Sequence, residues 1–140
     1  MKTTRVVLAD DHPMVRTAIR KLLEKAGDIE VIGEADDGAE ALRLVEDLDP
    51  DVLLLDMEMP GLNGVQVARQ LQAVGSPVSI LALSAYDDQQ YILGMLASGA
   101  AGYLTKEEAL HILIEAVRGV ARGERGWVSR WVAAKLAAWK

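Results

Sequence analysis

The sequence predicts an α/β protein: an open, doubly wound sheet of five parallel strands, helices on both faces, and a further helix at the C-terminal end. Three observations lead there. Five short apolar runs rich in Val, Ile and Leu alternate with five stretches of helical period. The connections between them are a few residues long, which suits βαβ units with right-handed crossovers. The run "PDVLLLD" (50–56) is apolar without alternation up to its closing aspartate, the pattern of a parallel strand covered on both faces.

Each element has its own justification. "RVVLA" (5–9) is a short β-branched run, and Pro13 opens a helix whose Val15, Ala18, Ile19, Leu22 and Leu23 fall at helical spacing. Gly27 ends that helix before the strand "IEVIGEA" (29–35). "DGAEALRLVEDL" (37–48) is helical, with Ala41, Leu42, Leu44, Val45 and Leu48 on its apolar face. After the third strand and the turn-forming "MEMPGLNG" comes a helix at 64–74 carrying Val65, Val67, Ala68 and Leu71. "SPVSILALSA" (76–85) is a fourth strand, and 87–99 is a helix weakened by Gly94 and capped by Gly99. "AGYLT" (101–105) is the fifth strand, followed by a helix at 107–122.

Composition bounds what such a chain can do. With 140 residues, half of them apolar, it can bury a core as one domain. No apolar run approaches the roughly 18 residues of a membrane span, and the N-terminus lacks the layout of a signal peptide. Cysteine is absent, which excludes disulfides and thiolate metal sites. A cytoplasmic location is the expectation. The net charge of −6 is uneven: four basic residues against one acid from Glu124 onward give +3, so the preceding 123 residues carry −9. Such a body repels phosphate backbones and suits a cation or a basic protein partner.

The first strand ends in Asp10 and Asp11, adjacent carboxylates whose repulsion needs an explanation. In an open parallel sheet, ligands gather at the carboxyl ends of the strands. Those ends deliver Asp10 and Asp11 from strand one, Asp56 from strand three, Ser84 from strand four and Lys106 just past strand five. Any one aspartate there could be a turn former or a helix cap; the ordered set is the signal. Three carboxylates are hard ligands suited to Mg²⁺, which would offset their repulsion. Asp56, alone at the end of the most buried strand, is the candidate nucleophile for forming an acyl phosphate, with Ser84 and Lys106 on the phosphoryl oxygens.

The motifs "LADDHP", "DVLLLDMEMPGLNG", "ILALSA" and "GYLTK", in this order and spacing, resemble the receiver domain of two-component response regulators over residues 5 to about 122. "LADDHP" and "GYLTKE" resemble the NarL/FixJ subfamily, whose members carry a C-terminal LuxR-type helix-turn-helix. The resemblance implies a (βα)5 flavodoxin-like receiver fold and a phosphorylation-controlled switch rather than an enzyme of metabolism. It implies that Asp56 accepts a phosphoryl group from a partner histidine kinase, and that Asp10 and Asp11 hold Mg²⁺ together with Asp56 and the backbone carbonyl of Glu58. Ser84 and Lys106 match the phosphoryl-contacting pair, Tyr103 the aromatic whose rotamer reports phosphorylation, and Ala85 the small residue that keeps the site accessible. The response would be a changed surface around helix four, strand five and helix five. Glu107 departs from the proline that follows the lysine in many receivers.

A receiver at residues 1–122 leaves 123–140 as a linker and tail helix, with no helix-turn-helix in the sequence. Either the chain is a stand-alone receiver acting by protein contact, or it is part of a longer transcriptional regulator that meets DNA through another domain. Two other readings use similar residues. A phosphatase of the haloacid dehalogenase type also has an aspartate nucleophile, but its D-x-D is replaced here by adjacent acids. A flavodoxin-like cofactor carrier would need a phosphate-binding loop, and none is present. His12 reads as a loop residue at a helix start, and His111 as a surface position. The tail places Val128, Trp131, Val132, Lys135, Leu136 and Trp139 on one helical stripe. That stripe either packs on its own domain or docks on another chain, and left uncovered it would favour a homodimer.

Overall fold

A computed structural model describes residues 3–84, 89–128 and 130–138. The chain runs β1 (Thr4–Ala9), α1 (Pro13–Glu24), β2 (Ile29–Ala35), α2 (Gly38–Leu48), β3 (Val52–Asp56), α3 (Gly64–Ala73), β4 (Ser79–Ser84), α4 (Gln89–Ala97), β5 (Gly102–Thr105), α5 (Lys106–Ala121), β6 (Trp127–Val128) and α6 (Arg130–Ala138). The strands are parallel in the order β2-β1-β3-β4-β5-β6, so the chain switches direction across the sheet between β1 and β3. Ligand sites of open α/β sheets form at such a point.

The period-two alternation of the central strands divides the core in two. Val7, Ala9, Leu53, Leu55, Ala82 and Tyr103 face α2, α3, α4 and α6, where Val45, Val67, Ile92, Met95 and Val132 cover them. Val6, Leu8, Val52, Leu54, Leu83 and Leu104 face α1 and α5 and meet Ile19, Leu23, Leu113 and Val117. Both faces of β3 are therefore covered, as its unbroken apolar run requires. Local chemistry sets the helix starts: Asp37 accepts from the Glu40 N–H, and Asn63 and Gln66 form a reciprocal capping box on α3. Gly99, at φ +93°, ends α4 in the left-handed conformation that its lack of a side chain permits. No helix among the described residues is long and apolar enough to cross a membrane.

Two expectations about the C-terminal part change. The sheet has six strands, not five, because Trp127 and Val128 return alongside Gly102 and Tyr103, and the Trp127 N–H donates to Ala101 O (3.1 Å). Two residues carry no readable alternation, so "WV" looked like the start of the tail helix. What admits the extra strand is Gly102: a Cβ there would collide with the Trp127 carbonyl oxygen. β6 thereby pairs with a β5 edge whose N–H and C=O groups would otherwise face outward. The tail stripe, in turn, packs at home. Val132 is fully buried beside Tyr103 in the same core cluster, with Val128 and Leu136 packed against it. This removes the exposed apolar face on which self-association through the tail rested. Trp139 lies outside the described residues, as does Ala85.

Candidate functional site

The register between β1 and β3 builds the site. Ala9 pairs with Leu55, so the next residues, Asp10 and Asp56, leave the sheet at the same level on adjacent strands. Both are about 1% exposed. The Asp10 N–H donates to Ala35 O (3.0 Å), continuing the β1–β2 ladder. Its Oδ1 accepts from the His12 N–H (2.8 Å), which turns the chain into α1. Arg16 holds the turn from outside by donating to the Asp10 carbonyl (2.7 Å). On β3, Asp56 Oδ1 accepts from the Glu58 N–H (3.1 Å), while the Met57 N–H still reaches Leu83 O (3.1 Å).

β4 and β5 bring the other two groups. Ser84, fully buried at the end of β4, donates its hydroxyl to Glu58 Oε1 (3.2 Å). Thr105 caps α5, and Lys106 is that helix's first residue. A cation at a helix N-terminus opposes the helix dipole, a cost that needs a nearby anion. Two provide it: Lys106 Nζ lies 3.3 Å from Asp56 Oδ2 and 3.6 Å from Asp10 Oδ2. Neither approach has hydrogen-bond geometry, and Asp10 Oδ2, Asp11 Oδ1 and Asp56 Oδ2 are all buried without a hydrogen-bond donor.

The electrostatics follow from that crowding. Burial raises the Asp56 pKa above the usual carboxylate value, aided by Asp10 and opposed by the Glu58 N–H and Lys106. For Lys106, burial works to lower the pKa, but the Asp56 and Asp10 carboxylates outweigh it and the net shift is upward. The His12 pKa is raised by its hydrogen bond to Asp10 and by the charge of Asp11.

Residues listed from the sequence as strand-end groups do converge: Asp10, Asp11, Asp56 and Lys106 form one cluster, with Ser84 joined to it through Glu58. Tyr103 lies elsewhere, fully buried in the apolar cluster that also holds Val132. Sequence reasoning missed His12. Its side chain makes no cap for α1, and its Nδ1 lies 2.9 Å from Asp11 Oδ1 and 3.0 Å from Asp10 Oδ1. The signal was its place directly after two acids. The carboxylates suit a divalent cation: oxygens with no donor point into one space, and ligand atoms of Asp10, Asp11, His12 and Asp56 lie within 4.8 Å of one another. Two ligands on one Mg²⁺, with bonds of about 2.1 Å, lie at most roughly 4.2 Å apart, so only small side-chain adjustments are needed.

The profile of the response regulator receiver domain matches residues 6–118. Among curated relatives, the transcriptional regulatory protein DegU of Brevibacillus brevis is 41% identical over 119 residues, and NarL of Mycobacterium tuberculosis is 42% identical over 119 residues. Each alignment covers 85% of this chain, which spans 50% of the first relative's length and 55% of the second's. The solved signal receiver domain of NarL from Mycobacterium tuberculosis superposes with a TM-score of 0.85 at 40% identity, covering 89% of this chain and all of that one. A LuxR-family two-component response regulator from Aurantimonas sp. SI85-9A1 gives a TM-score of 0.91 at 30% identity over 98% of this chain and 97% of that one. These likenesses favour the receiver reading over the phosphatase and cofactor-carrier alternatives.

Proposed function

The chain belongs to the response regulator receiver domain family of two-component systems, and on that premise we propose that Asp56 is its phosphoacceptor. The observation that carries the reading is Asp56 Oδ2: buried, without a hydrogen-bond donor, and 3.3 Å from the Lys106 ammonium. A carboxylate oxygen in that state is available to attack phosphorus. A histidine kinase would present a phosphohistidine; the Asp56 O–P bond forms as the P–N bond breaks and the electron pair returns to the imidazole. Lys106 is placed to follow the charge from Asp56 onto the phosphoryl oxygens, and Ser84 can turn its hydroxyl from Glu58 to the same group. Asp10, Asp11, Asp56 and the Glu58 carbonyl would hold Mg²⁺, which when bound neutralises the carboxylates and the incoming phosphoryl group.

Signalling would follow from β5. Lys106 stands directly after that strand, Tyr103 lies within it, and α4 and α5 flank it, so a shift of Lys106 toward a phosphoryl group biases one packed unit. We assign the switch to residues 1–122 and the link to an output to residues 123–140, working in the cytoplasm. The names of the relatives suggest that the output is transcriptional, with DNA met by a domain outside this chain. The test is direct. Incubation with a small phosphodonor and Mg²⁺ should add one phosphate to the intact protein, and Asp56→Asn should add none. Full labelling of Asp56→Asn, mapped to another residue, would overturn the assignment.

A further inference from the structure

His12 has no part in the reading above, yet it is the group most closely engaged with the carboxylates. Its side chain is 55% exposed and could turn to water. Instead Nδ1 lies 2.9 Å from Asp11 Oδ1, 3.0 Å from Asp10 Oδ1 and 4.0 Å from Asp56 Oδ2. The backbone explains why the ring stays. The His12 N–H is tied to Asp10 Oδ1, and the following Pro13 restrains His12 to the extended conformation it adopts, φ −103° and ψ 103°. At this N-cap position the side chain makes no cap, so the ring is free to lean over the acids.

The consequence concerns which ion the cluster takes. Asp10 Oδ2, Asp11 Oδ1 and Asp56 Oδ2 are buried with no hydrogen-bond donor, and they are hard oxygen ligands. Three such oxygens on their own suit Mg²⁺ or Mn²⁺. One ligand atom from each of these aspartates and a His12 ring nitrogen fall within 4.8 Å of one another. Atoms sharing one first-row ion lie at most roughly 4.2 Å apart, so the nitrogen is within a small rotation of joining the set. An imidazole added to carboxylates moves preference toward ions such as Co²⁺, Ni²⁺ and Zn²⁺.

We propose that His12 is a nitrogen ligand to the ion held by Asp10, Asp11 and Asp56, and that this site binds Co²⁺ and Ni²⁺ in preference to Mg²⁺. The inference rests on the cation reading of the carboxylate cluster. It makes the identity of the bound ion, and not only its presence, a property written by the β1–α1 turn.

Calorimetric titration of the tag-free protein with MgCl₂, MnCl₂, CoCl₂ and NiCl₂ tests it, using the parent, His12→Ala, His111→Ala and Asp11→Asn. His111 is the chain's other histidine and lies on α5, so its variant controls for adventitious imidazole binding. In the parent, affinity should rise from Mn²⁺ to Co²⁺ to Ni²⁺. In His12→Ala, Co²⁺ and Ni²⁺ should bind about tenfold more weakly or worse, while Mg²⁺ changes less than about twofold. His111→Ala should match the parent. The visible absorption of bound Co²⁺ should also change in His12→Ala. An equal loss for all four ions would make His12 a positioning residue of the turn; tighter binding of all four would make it a competing internal cation. Either result overturns the proposal while leaving the cation site in place. Asp11→Asn with unchanged affinity for every ion would instead remove the site itself, and this inference with it.

Discussion

The attachment of the tail turns on the missing side chain of Gly102, which makes Gly102→Ala an informative substitution. A Cβ at that position would collide with the Trp127 carbonyl oxygen and lie 2.7 Å from Trp127 Cβ and 2.9 Å from Leu81 Cδ1. The leucine methyl can move aside; the Trp127 backbone cannot without abandoning its place beside β5. Losing that place gives up the Trp127 N–H to Ala101 O bond, worth about 1 kcal/mol net. It also uncovers Val132, whose full burial contributes about 2 kcal/mol. An alanine within a strand recovers about 0.5–1 kcal/mol of backbone entropy, leaving a net loss of about 2 kcal/mol. For a chain of this size that is roughly 8 °C of melting temperature. The assay is a set of thermal or urea melts on the parent, Gly102→Ala, a chain ending at Arg122, and that shorter chain with Gly102→Ala. Without β6 and α6 there is nothing for the new methyl to strike except a movable leucine, so the substitution should be neutral or mildly stabilising there. The coupling between the two changes should therefore be about 2 kcal/mol. Equal destabilisation of the full and shortened chains would refute the reasoning.

Three further outcomes follow from the acid cluster. Burial raises the Asp56 pKa, so this group favours the fold below the ordinary carboxylate pKa, and that contribution is lost as pH rises through the raised value. Asp56→Asn should accordingly melt higher than the parent in metal-free buffer at neutral pH, with the gap closing below the ordinary carboxylate range; identical melting curves at neutral pH would contradict this. Lys106→Ala removes the cation beside two buried carboxylates and should cost about 1–2 kcal/mol without metal, discounted for the partial exposure of the lysine, with saturating Mg²⁺ narrowing the difference. In the same variant, a phosphoryl mimic should produce smaller NMR shifts in α4 and β5, and undiminished shifts would exclude the lysine from signalling. Asp11→Ala should weaken Mg²⁺ binding and slow phosphorylation with no loss of metal-free stability, and a markedly lower metal-free melt would count against carboxylate repulsion.

The order of strands and helices was legible because each element writes its period locally: Val6 to Ala9 and Val52 to Leu55 are too continuously apolar for a half-exposed strand, and Leu113, Ala116, Val117 and Val120 repeat at helical spacing. The strand-end acids were legible for the same reason, since a polar residue that stops an apolar strand marks where the chain leaves the sheet. Strand pairing was not written locally. That Asp10 and Asp56 stand at one level depends on the register of Ala9 with Leu55, and contacts between residues 46 positions apart are decided by packing of the whole sheet. β6 was hidden because its two residues are too few to show a pattern, and because Gly102 advertises nothing about the strand it admits. The tail's two readings, at home or on a partner, differed only in whether a complementary surface exists nearby, and the cluster around Tyr103 supplied it for Val132. His12 joins the acids through a side-chain direction set by the turn between Asp10 and Pro13. Residue type and spacing determine which groups reach the edge of the sheet; only the folded chain decides which of them touch, because distance and direction belong to the tertiary structure.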